Sequence, residues 1–170
     1  LIAIVDCSAQ NCGTPPLEAS TGVAHSDCVA EPDASGHAII PDTVMELGNF
    51  TCGAGQLCPL FSGCRRSQPT SIHVGDSVIR LGDNAFRYCS SLSTITLPDG
   101  LTQIGDGTFS ACSSLSAITL PDGLTQIGDG TFSACSSLST LTLPDGLTQI
   151  GDYTFQSCIS LITVTLPDGL

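Results

Sequence analysis

The side chains of this chain that could carry out chemistry are those of histidine, cysteine and aspartate. The three histidines are His25, His37 and His73, and none lies in a recognisable nucleophile motif. The chain contains no Gly-x-Ser-x-Gly, no His-Glu-x-x-His and no phosphate-binding glycine loop, the short patterns of many hydrolases, zinc proteases and nucleotide-binding enzymes. The sequence therefore predicts no catalytic residue, no cofactor and no enzyme activity.

The ten cysteines form two groups. Four recur at intervals of 23 residues, and these are Cys89, Cys112, Cys135 and Cys158. The other six are Cys7, Cys12, Cys28, Cys52, Cys58 and Cys64. Six cysteines in a loop-rich region favour about three disulfides made in an oxidising compartment, with fifteen pairings open. A zinc site is the alternative, but the chain has no Cys-x-x-Cys and the spacing of the last three is not a usual zinc pattern.

The four periodic cysteines have two interpretations. Equivalent residues of successive coils lie roughly 4.8 Å apart, so disulfides between coils are compatible with the Cα distance. The interpretation we favour is a ladder of buried, free thiols. The prediction is thus six oxidised cysteines and about four reactive thiols.

Aspartates also recur in two columns. One column contains Asp76, Asp99, Asp122, Asp145 and Asp168, and the other contains Asp83, Asp106, Asp129 and Asp152. Stacked carboxylates could bind calcium, but calcium requires six to eight closely spaced oxygens, and each turn supplies one Asp per coil. Turn formation explains the first column, and capping of a short helical turn explains the second. We therefore predict no metal site.

The spacing of these residues comes from a 23-residue unit. Residues 97–119 read LPDGLTQIGDGTFSACSSLSAIT, and residues 120–142 differ only in Thr140 for Ala117 and Leu141 for Ile118. Residues 143–165 and 74–96 are more divergent copies. A period of this length indicates a solenoid, in which each coil buries its apolar face against its neighbours.

Each unit contains a recognisable strand, turn and core. Thr94–Leu97 alternates polar and apolar residues, which predicts a strand with one buried face. Pro98-Asp99-Gly100 predicts a turn. Phe109 and Phe132 are predicted to fill the core between the two sides of their coils.

The repeat predicts one continuous domain with three parts. Residues 1–39 form an irregular, cysteine-containing N-terminal cap, residues 40–73 a degenerate first repeat with a cysteine-rich insertion, and residues 74–170 the regular repeats. Ile40 aligns with Val74 over 34 residues, so the first coil carries about eleven extra residues. A sequon at Asn49 makes this residue a glycosylation candidate.

Charge and hydropathy exclude several partners. The net charge is −12, with no Lys and four Arg, which disfavours nucleic acid and anionic membranes. The longest apolar run, Leu1–Val5, is far below the roughly 18 residues of a membrane span. The only Met is Met45, so we expect missing upstream sequence, plausibly a cleaved targeting peptide.

The pattern LPxxLxxIGxxxFxxCxxLxxIx resembles the leucine-rich repeat of the Treponema pallidum, or BspA-like, type. The resemblance covers residues 74–170 well, residues 40–73 loosely and residues 1–36 not at all. It implies a mainly β fold of the α/β repeat type, a right-handed curved solenoid of 23-residue coils. It also implies a secreted or cell-surface protein used in adhesion and protein binding, while an oxidising organelle lumen is the alternative location.

The outward strand residues are the candidate partner face. They are uncharged except for one histidine and rich in hydroxyls, namely His73, Thr94, Thr96, Thr119, Thr140, Thr142, Thr163 and Thr165. We predict a protein partner, with polysaccharide as a further possibility. A structural subunit docked permanently in a larger assembly is the alternative function, and an ice- or polysaccharide-binding threonine face is a lower one.

Overall fold

The computed structural model describes residues 23–24, 33–40, 42, 46–47 and 69–168. These residues form eleven short strands and no helix. The strands are β1 (Val23–Ala24), β2 (His37–Ile40), β3 (Glu46–Leu47), β4 (Ser71–Val74), β5 (Arg80–Leu81), β6 (Thr94–Thr96), β7 (Gln103–Ile104), β8 (Gln126–Ile127), β9 (Thr140–Thr142), β10 (Gln149–Ile150) and β11 (Thr163–Thr165).

The strands pair in parallel into three sheets. One side of the solenoid is a six-stranded sheet in the order β1-β3-β5-β7-β8-β10. The other side consists of a three-stranded sheet, β2-β4-β6, and a two-stranded sheet, β9-β11. Thr140 pairs with Thr163, a step of 23 residues, and Ile40 pairs with Val74, a step of 34 residues. The predicted mainly β solenoid of 23-residue coils is therefore confirmed.

The core lies between the two sides and is built on a column of phenylalanines. Phe86, Phe109 and Phe132 are fully buried, as predicted for Phe109 and Phe132. Successive ring centroids from Phe86 to Phe155 lie 5.4, 5.5 and 6.1 Å apart, and the rings are nearly parallel. Leucines and isoleucines of both strand sides pack around this column, so every coil contributes to one continuous core.

The predicted helical turn after Gly105 is wrong. Each regular coil instead has two residues in the left-handed region of φ, four positions apart, such as Gly107 at 60° and Ala111 at 61°. A right-handed helix cannot pass through two such residues. The segment folds as consecutive turns, in which the amide of Ser110 donates to the carbonyl of Gly107 and that of Cys112 to Phe109.

The role predicted for the second aspartate column is also wrong. The Asp106 carboxylate does not cap its own coil but accepts a hydrogen bond from the backbone amide of Asp129 in the next coil, at 2.8 Å. The Asp83 and Asp129 carboxylates bind the amides of Asp106 and Asp152 in the same way, at 3.0 and 2.7 Å. These aspartates therefore connect coils.

Candidate functional site

The outward residues of the strands β4, β6, β9 and β11 form a surface that we call the threonine face. In β6 the side chains of Thr94 and Thr96 are exposed while Ile95 is buried. The same alternation recurs in β9 and β11, where the outward residues are Thr140, Thr142, Thr163 and Thr165. Apart from His73 in β4, the outward side chains of these four strands carry no ionisable group, and most of them present hydroxyls.

The threonine face is interrupted at residues 116–120. This segment has no strand assignment, although its sequence differs from residues 139–143 only at Ala117 and Ile118. Thr119 remains exposed and Ile118 remains buried, so the orientation of the side chains is kept. The interruption separates the outward residues of β4 and β6 from those of β9 and β11.

The threonine face continues towards the N terminus through residues that the sequence prediction did not include. His37 lies beside Ser71, and Ile39 lies beside His73. The imidazole Nδ1 of His37 is 2.8 Å from Ser71 Oγ, and Ile39 is 50% exposed. The offset of 34 residues between Ile40 and Val74 was the signal that could have placed these side chains on the face.

The last described coil, residues 143–168, carries large side chains where the two preceding coils carry small ones. Ile159 and Ile162 are 84% and 86% exposed and occupy positions held by serine in the two preceding coils. Tyr153, 72% exposed, occupies a glycine position. Exposed apolar side chains grouped in this way are typical of a contact site.

The periodic cysteines are not all alike. Cys112, Cys135 and Cys158 are free, and each thiol lies 3.0 to 3.1 Å from the carbonyl oxygen of the phenylalanine 26 residues earlier. Burial raises the pKa of all three thiols, that of Cys135 to about 12. Cys112 and Cys135 are buried and Cys158 is partly buried, and all three thiols act as neutral hydrogen-bond donors.

The prediction that all four periodic cysteines are free is wrong for Cys89. Cys89 is disulfide-bonded, whereas the other three periodic cysteines are free. The physical difference is position, since Cys89 lies in the first regular coil and has no regular coil before it. The six predicted disulfide cysteines and Asn49 lie outside the described residues, so those predictions stand untested.

Two shallow grooves, of about 230 and 320 Å³, run along the flanks of the second aspartate column. The larger groove ends at Arg87, whose guanidinium lies 4.9 Å from the ring centre of Tyr88 and donates to Asn84 at 3.2 Å. Neither groove contains a histidine or cysteine. Within the described part of the chain, no three His, Cys, Asp or Glu side chains are grouped so as to hold a metal ion.

The comparisons with known proteins identify the family. The model of the BspA type leucine rich repeat region matches residues 60–170 in six copies. The chain belongs to the BspA-type leucine-rich repeat family. A comparison with curated protein sequences found no match.

Solved structures of such repeat proteins resemble the chain. The T. pallidum leucine-rich repeat protein TpLRR is 31% identical with a TM-score of 0.68, over 79% of this chain and 60% of that protein. A leucine-rich repeat protein from Bacteroides ovatus is 32% identical with a TM-score of 0.64, over 78% of this chain and 36% of that protein. A leucine rich cell surface protein from Faecalibacterium prausnitzii is 28% identical with a TM-score of 0.53, over 75% and 38%.

The chain thus spans 60% or less of the length of these solved relatives. Among the described residues there is no helix with the length and apolar character needed to cross a membrane.

Proposed function

We propose that this chain is a non-enzymatic scaffold that binds another protein through the threonine face. The observation that carries the proposal is the strict alternation along β6 and β9, where exposed threonines flank the buried Ile95 and Leu141. Hydroxyls then stand about 4.8 Å apart between paired coils and about 6.6 Å apart along a strand. Such a surface offers hydrogen bonds in a fixed pattern without the desolvation of a charge.

The location that we propose is outside the cell or on its surface, with an oxidising organelle lumen as the alternative. A disulfide at Cys89 is compatible with both locations, because disulfides persist in oxidising compartments. One relative is a cell surface protein, which agrees with the first location.

The test places a charge on the face. Thr119→Arg combined with Thr142→Arg should weaken binding of a partner recovered by affinity purification from the native source. The matched control is Gln103→Arg with Gln126→Arg, because these side chains are exposed on the opposite sheet of the same two coils. We expect at least a tenfold loss for the threonine pair, equal to about 1.4 kcal/mol, and little change for the glutamine pair.

The result that would overturn this proposal is unchanged binding by both variants together with loss of binding on mutation of residues 1–64. The repeats would then act only as a spacer for the N-terminal part.

A second candidate function is a structural subunit docked permanently in a larger assembly. The exposed Ile159 and Ile162, which stand where the two preceding coils have serine, favour it, because obligate interfaces are more apolar than transient ones. A permanent subunit should co-purify with its partner in a fixed ratio, and a polar residue at Val164 should reduce that ratio. The lower alternative is ice or polysaccharide binding by a threonine array. The interruption at Ala117 breaks the regularity of that array and so does not favour this alternative.

A further inference from the structure

We propose that His37 and His73 together bind one divalent transition ion, of the class that includes zinc and copper, at the N-terminal end of the threonine face. Two of the three histidines of the chain meet there, one on β2 and one on β4. From residue 94 onward the same two outward columns hold only threonine and alanine. The histidine pair is therefore a local feature and not a product of the repeat.

The pairing of β2 with β4 brings the two histidines to one surface. His37 lies beside Ser71 and Ile39 lies beside His73, so the histidines are diagonal neighbours. The residue that follows His37 and the residue that precedes His73 are buried, which places both histidines on the outer side of the sheet. Since adjacent strands lie about 4.8 Å apart and alternate residues of a strand about 6.6 Å apart, the two Cα atoms are about 8 Å apart, within reach of two long side chains.

The ring of His37 is already oriented by a hydrogen bond. Its Nδ1 is 2.8 Å from the Oγ of Ser71, which belongs to the strand that carries His73. The tautomer with its proton on Nδ1 donates to this hydroxyl and leaves the lone pair of Nε2 for an ion. Metal-binding histidines generally donate their other ring nitrogen in this way. Within the described residues, no hydrogen bond occupies His37 Nε2 or the ring of His73.

The backbone that carries His37 is held by a turn. The Asp33 carboxylate accepts from the amides of Ser35 and His37 at 2.8 and 3.0 Å, and the amide of Gly36 donates to the Asp33 carbonyl at 2.9 Å. These contacts fix the start of β2, so one of the two ligands is positioned before an ion arrives. The net charge of −12 also favours a cation over an anion at this surface.

The donor set decides the class of ion. Imidazole suits zinc, copper, nickel and iron, whereas magnesium and calcium require oxygen ligands. Two imidazoles at the usual Zn–N distance of about 2.0–2.1 Å fill half of a tetrahedral zinc shell. The other positions are open to water or to a side chain of a bound protein. Only that last consequence rests on the proposed function, because it requires a protein on the threonine face.

The test follows the imidazole nitrogens of the whole chain by nuclear magnetic resonance while Zn²⁺ is added. A residue-specific signal is needed, because thiols and other imidazoles of the chain can also take up zinc. The ring signals of His37 and His73 should shift together and saturate at one equivalent of Zn²⁺ per chain. The same concentration of Mg²⁺ should leave both signals unchanged, because magnesium requires oxygen ligands.

Two kinds of variant sharpen the result. His37→Gln should raise at least tenfold the Zn²⁺ concentration that shifts the His73 signal, and His73→Gln should do the same for the His37 signal. The matched control combines His73→Thr with Thr96→His, which keeps the number of histidines and moves one imidazole to the next strand. The two Cα atoms are then about 12 Å apart, so zinc binding should again weaken at least tenfold.

The proposal is overturned if neither signal shifts at millimolar Zn²⁺, if only one of them shifts, or if the relocated pair binds zinc as tightly as the native pair. An equal response to Mg²⁺ would also overturn it. Denaturant unfolding checks that each variant keeps the fold. The threonine-face test changes Thr119 and Thr142 and needs a protein partner, so the two proposals can fail separately.

Discussion

The coils of residues 97–142 and the last described coil, residues 143–168, follow the same repeat and differ in the side chains at their flanks. In the middle coils, hydroxyl, thiol and carboxylate groups bind the neighbouring coil, and the flank positions hold glycine and serine. In the last coil, Tyr153, Ile159 and Ile162 occupy those flank positions and are exposed. The comparison teaches that the residues shared by the coils build the scaffold, and that the exposed large side chains stand where the last coil departs from the repeat.

The largest expected effect tests whether the middle coils carry the core. Phe132→Ala should lower the free energy of unfolding by about 3–5 kcal/mol, because Phe132 is fully buried between two stacked rings. Chemical denaturation measures the loss. A loss below about 1 kcal/mol for Phe132→Ala would contradict the coil as described.

A smaller effect is expected from a buried hydroxyl. Thr131 is buried, and its Oγ1 donates to the carbonyls of Gly105 and Gly128 at 3.1 and 2.8 Å. Thr131→Val should destabilise by about 1–3 kcal/mol, because it leaves buried acceptors without a donor. Thr142→Val, on the exposed face, is the matched control and should stay within about 0.5 kcal/mol. Equal losses in the two variants would argue against a stabilising role for the hydrogen bonds of Thr131.

The thiols predict a pH dependence of stability. Burial raises the pKa of the Cys135 thiol from 9.0 to about 12, so the folded chain keeps a proton that the unfolded chain loses. The contribution is complete below pH 9 and is lost as the pH rises towards 12. Titration of the Cys135 thiol should lower the free energy of unfolding by up to about 1.4 kcal/mol per pH unit in that window.

Urea unfolding at pH 8 and pH 10 measures this slope. Cys135→Ala should reduce the slope, while Cys158→Ala should reduce it less, because Cys158 is only partly buried. A slope unchanged by Cys135→Ala would mean that the thiol is not neutral in the folded chain.

The covalent state of the cysteines distinguishes the first regular coil from the later ones, because Cys89 is disulfide-bonded whereas Cys112, Cys135 and Cys158 are free. Alkylation of the denatured, non-reduced chain, mapped by mass spectrometry, should therefore label Cys112, Cys135 and Cys158 but not Cys89. A reactive Cys89 would contradict the assignment.

The period of the sequence was enough to predict the coil, the strand face and the burial of Phe109 and Phe132, because these depend on positions that every copy shares. Cys89 could not be told from Cys112, since both occupy the same position of the repeat and differ only in the coil that precedes them. The Asp106 carboxylate was misassigned because the pattern Gly-Asp-x-Thr fits a helix cap as well as a contact with the next coil. The left-handed backbone at Ala111, with φ of 61°, could not be predicted, because alanine is not a residue typical of that conformation.

The hydrogen bonds that hydroxyls and thiols donate between coils all point in one direction along the chain. Thr131, Thr154, Cys135 and Cys158 all donate to carbonyls of the coil that precedes them in the chain. Synthesis on the ribosome also proceeds from the N terminus, so each of these hydroxyl and thiol donors emerges after its acceptor. The amides of Gly130, Phe132 and Ala134 donate instead to the coil that follows, so a coil depends on its two neighbours and on no distant sequence as the nascent chain lengthens.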